Sequence, residues 1–104
     1  MYARLVEIEG IDPSRRGEAE QNLREQVIPI LKGLEGFAGF VSLTDADNRR
    51  ARGIVLWDTR EQAEEAEQQM KPRREEMMNR MGATVKSADL YEVMVAELPV
   101  GVTA

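Results

Sequence analysis

Arg4 and Glu92 are the two charged residues whose surroundings in the sequence could support chemistry. Each stands in the middle of a predicted strand, with apolar residues two positions away on either side. If the first and last strands are antiparallel neighbours, the two side chains meet across the sheet. An anion-binding arginine would then lie beside a carboxylate that acts as a base. The alternative is a structural cross-strand ion pair at a sheet edge or a subunit interface.

A second group of side chains could line a ligand pocket: Trp57, Tyr91, Ser42, Met70 and Met77. The aromatic rings could stack on an aromatic ligand, the hydroxyl could hydrogen-bond to it, and methionine adapts its shape to different ligands. The alternative for the aromatic and methionine side chains is core packing. The alternative for Ser42 is a hydrogen bond within its own sheet.

Composition excludes several kinds of site. The chain of 104 residues contains no Cys and no His, so it cannot form a disulfide, a thiolate metal site or a nucleophile–histidine pair. We predict no metal and no cofactor. The formal net charge of −5 disfavours nucleic acid as a partner, because its phosphates would be repelled. No apolar run is long enough for a membrane span or a signal sequence, so we expect no membrane association and a cytoplasmic protein.

The periodicity of apolar residues predicts the element order β-α-β-β-α-β. Strands are predicted at 1–9, 36–44, 52–58 and 84–98, the last with a bulge near 87–89. Helical spacing follows the first and the third strand. This order is that of the ferredoxin-like α+β fold, a four-stranded antiparallel sheet with two helices on one face. We predict one domain over 1–98 and a C-terminal tail over 99–104.

Local signals mark the helices. Asp12 is predicted to cap the first helix, and Pro29 is predicted to kink it because proline has no N–H to donate. Thr59 with Gln62 fits a capping box at the start of the second helix. Pro72 is expected to bend or split that helix.

The second helix carries an apolar stripe at helical spacing, formed by Ala63, Ala66, Met70, Met77 and Met81. Glu67 and Lys71 are four residues apart on a different predicted face. We expect them to form a surface ion pair.

Both faces of the predicted sheet are apolar, which indicates assembly. Alternation along the third strand turns apolar side chains to both sides: Ile54, Val55, Leu56 and Trp57. On the second strand, alternation separates Phe37 from Phe40. Two helices cover only one face, so we predict that the other face packs against a second copy of the chain, giving a sheet-to-sheet homodimer.

Four stretches carry a resemblance to a known family: "MYARLVEIEG", "LEGFAGFVSL", "GIVLWDTREQAEEA" and "YEVMVAEL". With them the chain resembles the antibiotic-biosynthesis-monooxygenase-like family of dimeric α/β barrels, over about residues 1–98. The haem-degrading relatives use an Asn on the first strand, and a Trp and a following His on the second helix. This sequence has Arg4 and Ala66 at the first two positions and no His, so haem degradation is not expected.

The resemblance implies a cofactor-independent monooxygenase that acts on an aromatic or quinol-type small molecule. Such an enzyme needs an apolar pocket and hydrogen-bond donors for a substrate oxyanion. The alternative is a non-catalytic ligand-binding or stress-related protein of the same fold. A third hypothesis is a structural dimer without a pocket.

Overall fold

An antiparallel sheet of four strands forms one layer of the computed structural model, which describes residues 1–99. Its strands are β1 (Tyr2–Glu9), β2 (Phe37–Asp45), β3 (Arg50–Trp57) and β4 (Thr84–Glu92). Their spatial order is β2-β3-β1-β4, and each neighbouring pair is antiparallel. This α+β architecture confirms the predicted class and is compatible with the ferredoxin-like fold. Residues 100–104, most of the predicted tail, lie outside the described part of the chain.

The first helical region connects β1 to β2 and is irregular. It consists of a 3-10 turn (Pro13–Arg15), α1 (Arg16–Asn22), a π-helical turn (Leu23–Val27) and α2 (Ile28–Lys32). As predicted, Asp12 caps its start, where the carboxylate accepts a hydrogen bond from the Ser14 N–H at 3.0 Å. Just before Pro29, where a kink is predicted, the structure has the π-helical turn, in which the Ile28 N–H donates to the carbonyl of Leu23.

The second helix, α3 (Arg60–Met81), begins and ends where the sequence predicts. Thr59 and Gln62 form the reciprocal hydrogen bonds of a capping box, and Gly82 ends the helix in the left-handed conformation with φ 70°. The helix is continuous through Pro72, so of the two predicted effects, a bend or a split, the split is wrong. Pro72 and Gln68 are both exposed. Water can therefore satisfy the Gln68 carbonyl that loses its donor.

The core lies between α3, the first helical region and one face of the sheet. Its most buried members are Leu31, Trp57, Ala63 and Ala66. Phe37 packs edge-on against Trp57, with ring centroids 6.1 Å apart. Phe37 and Phe40 both contact this core, which corrects the predicted alternation. The pairing with β3 shifts between Phe37 and Gly39, and this irregularity brings both rings to the helix side.

The last strand is shorter than predicted. β4 ends at Glu92, which lies opposite Tyr2, the first paired residue of β1. The pairing with β1 is irregular where Ser87 and Val85 lie opposite consecutive β1 residues. The bulge is therefore at Lys86, just before the predicted range. Within residues 1–99 no helix is both long and apolar enough to cross a bilayer.

Candidate functional site

A cavity of about 1140 Å³ lies between the helical layer and the sheet. This volume is large enough for a small-molecule ligand. Its apolar wall includes Trp57, Phe40 and Val55 from the sheet, and Met70 and Met77 from α3. Trp57 borders the cavity but is only 2% exposed, so it is a core residue that offers a ligand almost no surface. Phe40, which is less buried, is the aromatic side chain that the wall presents.

Of the residues predicted from the sequence, five line this cavity: Arg4, Ser42, Trp57, Met70 and Met77. Tyr91 and Glu92 are not among its lining residues. Tyr91 is half-exposed on the opposite face of the sheet, because it alternates with the core residue Leu90. Glu92 is exposed at the end of β4.

The expected pairing of Arg4 with Glu92 is replaced by a different contact. Register places Leu90 and Val55 opposite Arg4, and Glu92 opposite Tyr2. The Arg4 Nη1 donates to the carbonyl oxygen of Ala88 at 3.1 Å. Its Nε is 3.9 Å from Oε1 of Glu67 on α3, and this Nε is buried without a hydrogen-bond partner among the described residues.

Glu67 is also bound by Arg74 from the same helix. The two Arg74 terminal nitrogens donate to the two carboxylate oxygens of Glu67, one of them at 3.0 Å. This fork-to-fork arrangement is the strong geometry for an arginine–carboxylate pair. The side chains of Arg4, Glu67 and Arg74 are only 12%, 20% and 13% exposed. One carboxylate is therefore shared by two arginines, which leaves one formal positive charge in a mostly buried cluster.

Sequence reasoning missed Glu67 and Arg74 as a pair. The predicted surface pairing of Glu67 with Lys71 is wrong, because Glu67 turns to the cavity while Lys71 is exposed. The periodicity of the second helix does indicate that Arg74 lies on the side that faces the sheet. Position 74 follows Met70 by four residues and precedes Met77 by three, so Arg74 occupies a gap in the apolar stripe.

The charge of the cavity wall differs from that of the chain. Eight arginines and four carboxylates line the cavity, a formal excess of four positive charges. The whole chain has a formal net charge of −5. At the rim, hydrogen bonds from the Asn48 side chain and then from Arg50 hold the pKa of Asp45 below its ordinary value. The cavity therefore presents positive charge in an acidic protein.

The described residues, 1–99, contain no group of three or more acidic side chains placed to hold a metal ion. Neither a protein-family model nor a curated protein matches the chain.

Proposed function

We propose that the chain is a cofactor-independent monooxygenase that binds an aromatic or quinol-type molecule in this cavity, as its resemblance to the antibiotic-biosynthesis-monooxygenase-like family suggests. The observation that carries the proposal is an aromatic-lined cavity with two partly buried arginines, Arg4 and Arg74, in its wall. Apolar surface holds the ring, and the arginine N–H groups supply the donors that a substrate oxyanion needs.

The reaction balances without an external reductant. A hydroquinone and one dioxygen give a hydroxyquinone and one water, and the ring loses four electrons. One oxygen atom enters the ring and the other leaves as water. The step begins with ionisation of the phenolic hydroxyl, because the phenolate is electron-rich enough to react with dioxygen. The role of the protein is to stabilise the anion and exclude competing water.

The position of the carboxylates limits the mechanism. Glu92, predicted as the base, is exposed and outside the cavity wall. The oxygens of Glu67 already accept hydrogen bonds from Arg74. Of the other carboxylates in the wall, Asp45 accepts hydrogen bonds from Asn48 and Arg50, and Glu20 and Glu76 are exposed. We infer that the substrate gives its proton to solvent and binds as an anion. The pH dependence of the rate should then follow the ionisation of each substrate.

The second candidate function is non-catalytic binding of the same class of ligand, as in a ligand-binding or stress-related protein of this fold. The engagement of Glu67 favours it, since both carboxylate oxygens already accept hydrogen bonds from Arg74 and are not directed at a ligand. Binding without oxygen consumption would distinguish this function from the first.

The proposed assembly is a cytoplasmic homodimer joined through the open faces of the two sheets. On the face turned away from the helices, Val41 is 48% exposed, Leu43 49% and Tyr91 52%. Ile54 and Leu56 share this face by alternation from the core residues Val55 and Trp57. Covering this apolar surface with a second copy stabilises the pair by roughly 25 cal/mol per Å² of apolar area buried.

Light scattering of the purified protein tests the assembly. We expect a dimer for the wild type and a shift towards monomer for Ile54→Lys, which places a charge in the proposed interface. Gln69→Lys, on the exposed side of α3, is the matched control and should leave the dimer intact. A folded wild-type monomer at micromolar concentration would contradict the proposal.

Oxygen uptake with a panel of hydroquinones tests the activity. We expect consumption of one dioxygen per substrate and a rate lowered about 100-fold or more in Arg4→Ala, in line with the loss of an oxyanion donor. Arg60→Ala is the control, since Arg60 is exposed and pairs with Glu64 on the same helix. An unchanged rate in Arg4→Ala would remove Arg4 from the mechanism, and no uptake with any substrate would leave the binding function.

A further inference from the structure

The distribution of charge suggests a more specific ligand class. The cavity wall holds eight of the chain's arginines and only four of its 19 acidic residues. The rest of the chain is therefore strongly acidic. Six of the eight arginines are exposed, and the two that are mostly buried in the wall are Arg4 and Arg74. Low-dielectric walls focus such a field into a cleft and raise the local concentration of an oppositely charged ligand.

The Arg4–Glu67–Arg74 cluster is where this charge is least hydrated. Its three side chains are 80% or more buried, and two cations share one anion. Arg74 has committed both terminal nitrogens to Glu67, whereas Arg4 uses Nη1 for the Ala88 carbonyl. The contact of Arg4 with Glu67 is at 3.9 Å, beyond ordinary hydrogen-bond length. Arg4 in this cluster therefore lacks one hydrogen-bond acceptor.

An apolar surface adjoins the cluster on the sheet. Val55 lies opposite Arg4 in the register of β1 and β3, and Trp57 follows two residues later on the same face. On α3, Met70 lies between Glu67 and Arg74 at helical spacing. A ligand that covers this apolar surface would place a ring system against the sheet and an anionic group beside the arginines.

We infer that the ligand of the cavity is an aromatic carboxylate whose anionic group binds Arg4, while Arg74 stays paired with Glu67. This inference rests on the proposed function for the location of the site, and it makes the anionic group bound at the arginines a permanently charged carboxylate rather than an ionised hydroxyl. A carboxylate supplies planar acceptors that match the guanidinium fork. With Glu67 in place the cluster has one unmatched positive charge, so it selects a single carboxylate.

Isothermal titration with a matched pair of probes tests this inference. The probes 2-naphthoate and 2-naphthamide have the same rings and nearly the same size, and at pH 7.5 only the first is charged. We expect the wild type to bind naphthoate at least tenfold more tightly, which corresponds to about 1.4 kcal/mol. That preference should shrink as ionic strength rises.

Two variants should change the preference in opposite directions. Arg74→Gln leaves Arg4 and Glu67 as a neutral pair, so naphthoate and naphthamide should bind with about equal affinity. Glu67→Gln leaves two unmatched arginines, so the preference should rise several-fold above wild type. Binding of the amide should be similar in all three proteins. A purely structural role of the cluster would instead weaken both probes together.

Arg60→Gln and Glu64→Gln are the matched controls. They change the net charge by the same amounts on the same helix, but this pair is about 60% exposed and lies outside the cavity wall. Both controls should keep the wild-type preference. If Arg74→Gln does not fold, the rise in Glu67→Gln still decides the question.

Equal affinity of wild type for the two probes would overturn the inference, as would a preference that Glu67→Gln leaves unchanged. Failure of both probes to bind would count against it as well. These outcomes are independent of oxygen uptake. A charge preference without oxygen consumption would refute the oxygenase and leave the carboxylate site, whereas oxygen uptake without a charge preference would do the reverse.

Discussion

Replacing Gly36 with alanine should destabilise the protein because this glycine supports the start of α3. Gly36 has φ 85°, a conformation that costs an L-residue about 1–2 kcal/mol. An added methyl group would also lie 2.9 Å from the Cβ of Gln62 and closer still to its amide group. That amide oxygen accepts the Thr59 N–H at 3.2 Å to complete the capping box.

Displacing Gln62 removes a hydrogen bond with a net value of about 0.5–1.5 kcal/mol, and the helix must shift slightly to relieve the contact with its Cβ. Together with the backbone term, Gly36→Ala should lower the free energy of unfolding by about 1.5–3.5 kcal/mol. Gly17→Ala is the control. A methyl group there has no neighbour within 4 Å, so alanine should stabilise α1 by about 0.5–1 kcal/mol.

Urea unfolding at fixed protein concentration measures both variants, and Gln62→Ala completes a double-mutant cycle. In the Gln62→Ala background the cost of Gly36→Ala should fall by about 1 kcal/mol, since the colliding amide is absent. A cost that is the same in both backgrounds would refute the steric argument. A cost below about 1 kcal/mol in the wild-type background would refute the backbone argument too.

Three further predictions concern the core and the cavity rim. Leu31 is 1% exposed, so Leu31→Ala should lower the free energy of unfolding by about 2–5 kcal/mol in the same urea assay. A smaller loss would mean that the helical layer collapses into the space left by the leucine side chain. Trp57, the sole tryptophan and 2% exposed, should resist quenching by acrylamide, and ready quenching would contradict its burial. Asp45 should titrate by NMR with a midpoint below that of an ordinary aspartate, because hydrogen bonds from the Asn48 side chain and then from Arg50 favour its ionised form. Because its pKa is lower in the folded state, the Asp45 carboxylate stabilises the protein at pH values above its unfolded-state pKa. This stability is lost as the pH falls through the folded-state pKa. Asp45→Asn should therefore reduce the acid sensitivity of unfolding below about pH 4.

Features that depend on neighbouring residues could be predicted from the sequence. The capping box of Thr59 and Gln62 and the helix end at Gly82 are of this kind, because each signal and its effect lie within one helical turn. The order of strands and helices follows from the same local periodicity. The placement of Arg4 and Trp57 at a common cavity also follows, once the strand faces are assigned.

Features that depend on distant contacts could not be predicted. Glu67 has Lys71 at an ideal spacing along the helix, yet it pairs with Arg74 and Arg4 because tertiary packing turns it towards the sheet. Phe37 joins Phe40 because of an irregularity in pairing that simple alternation does not contain. The prediction that β1 and β4 are neighbouring strands is correct, and the predicted pairing of Glu92 with Arg4 depends on it. The register of the two strands places Leu90 opposite Arg4 instead.

The side chains of α3 explain why a cavity and a well-packed core are formed by the same helix. In its first half, the small residues Ala63 and Ala66 pack in the core with Trp57 and Leu31. Further along, longer side chains such as Met70 and Arg74 line the cavity. Burying an ion cluster there contributes less to stability than apolar packing would. The ion cluster in the second half of α3 therefore adds less to stability than the apolar packing of Ala63 and Ala66 in the first half, where the capping box of Thr59 and Gln62 begins the helix.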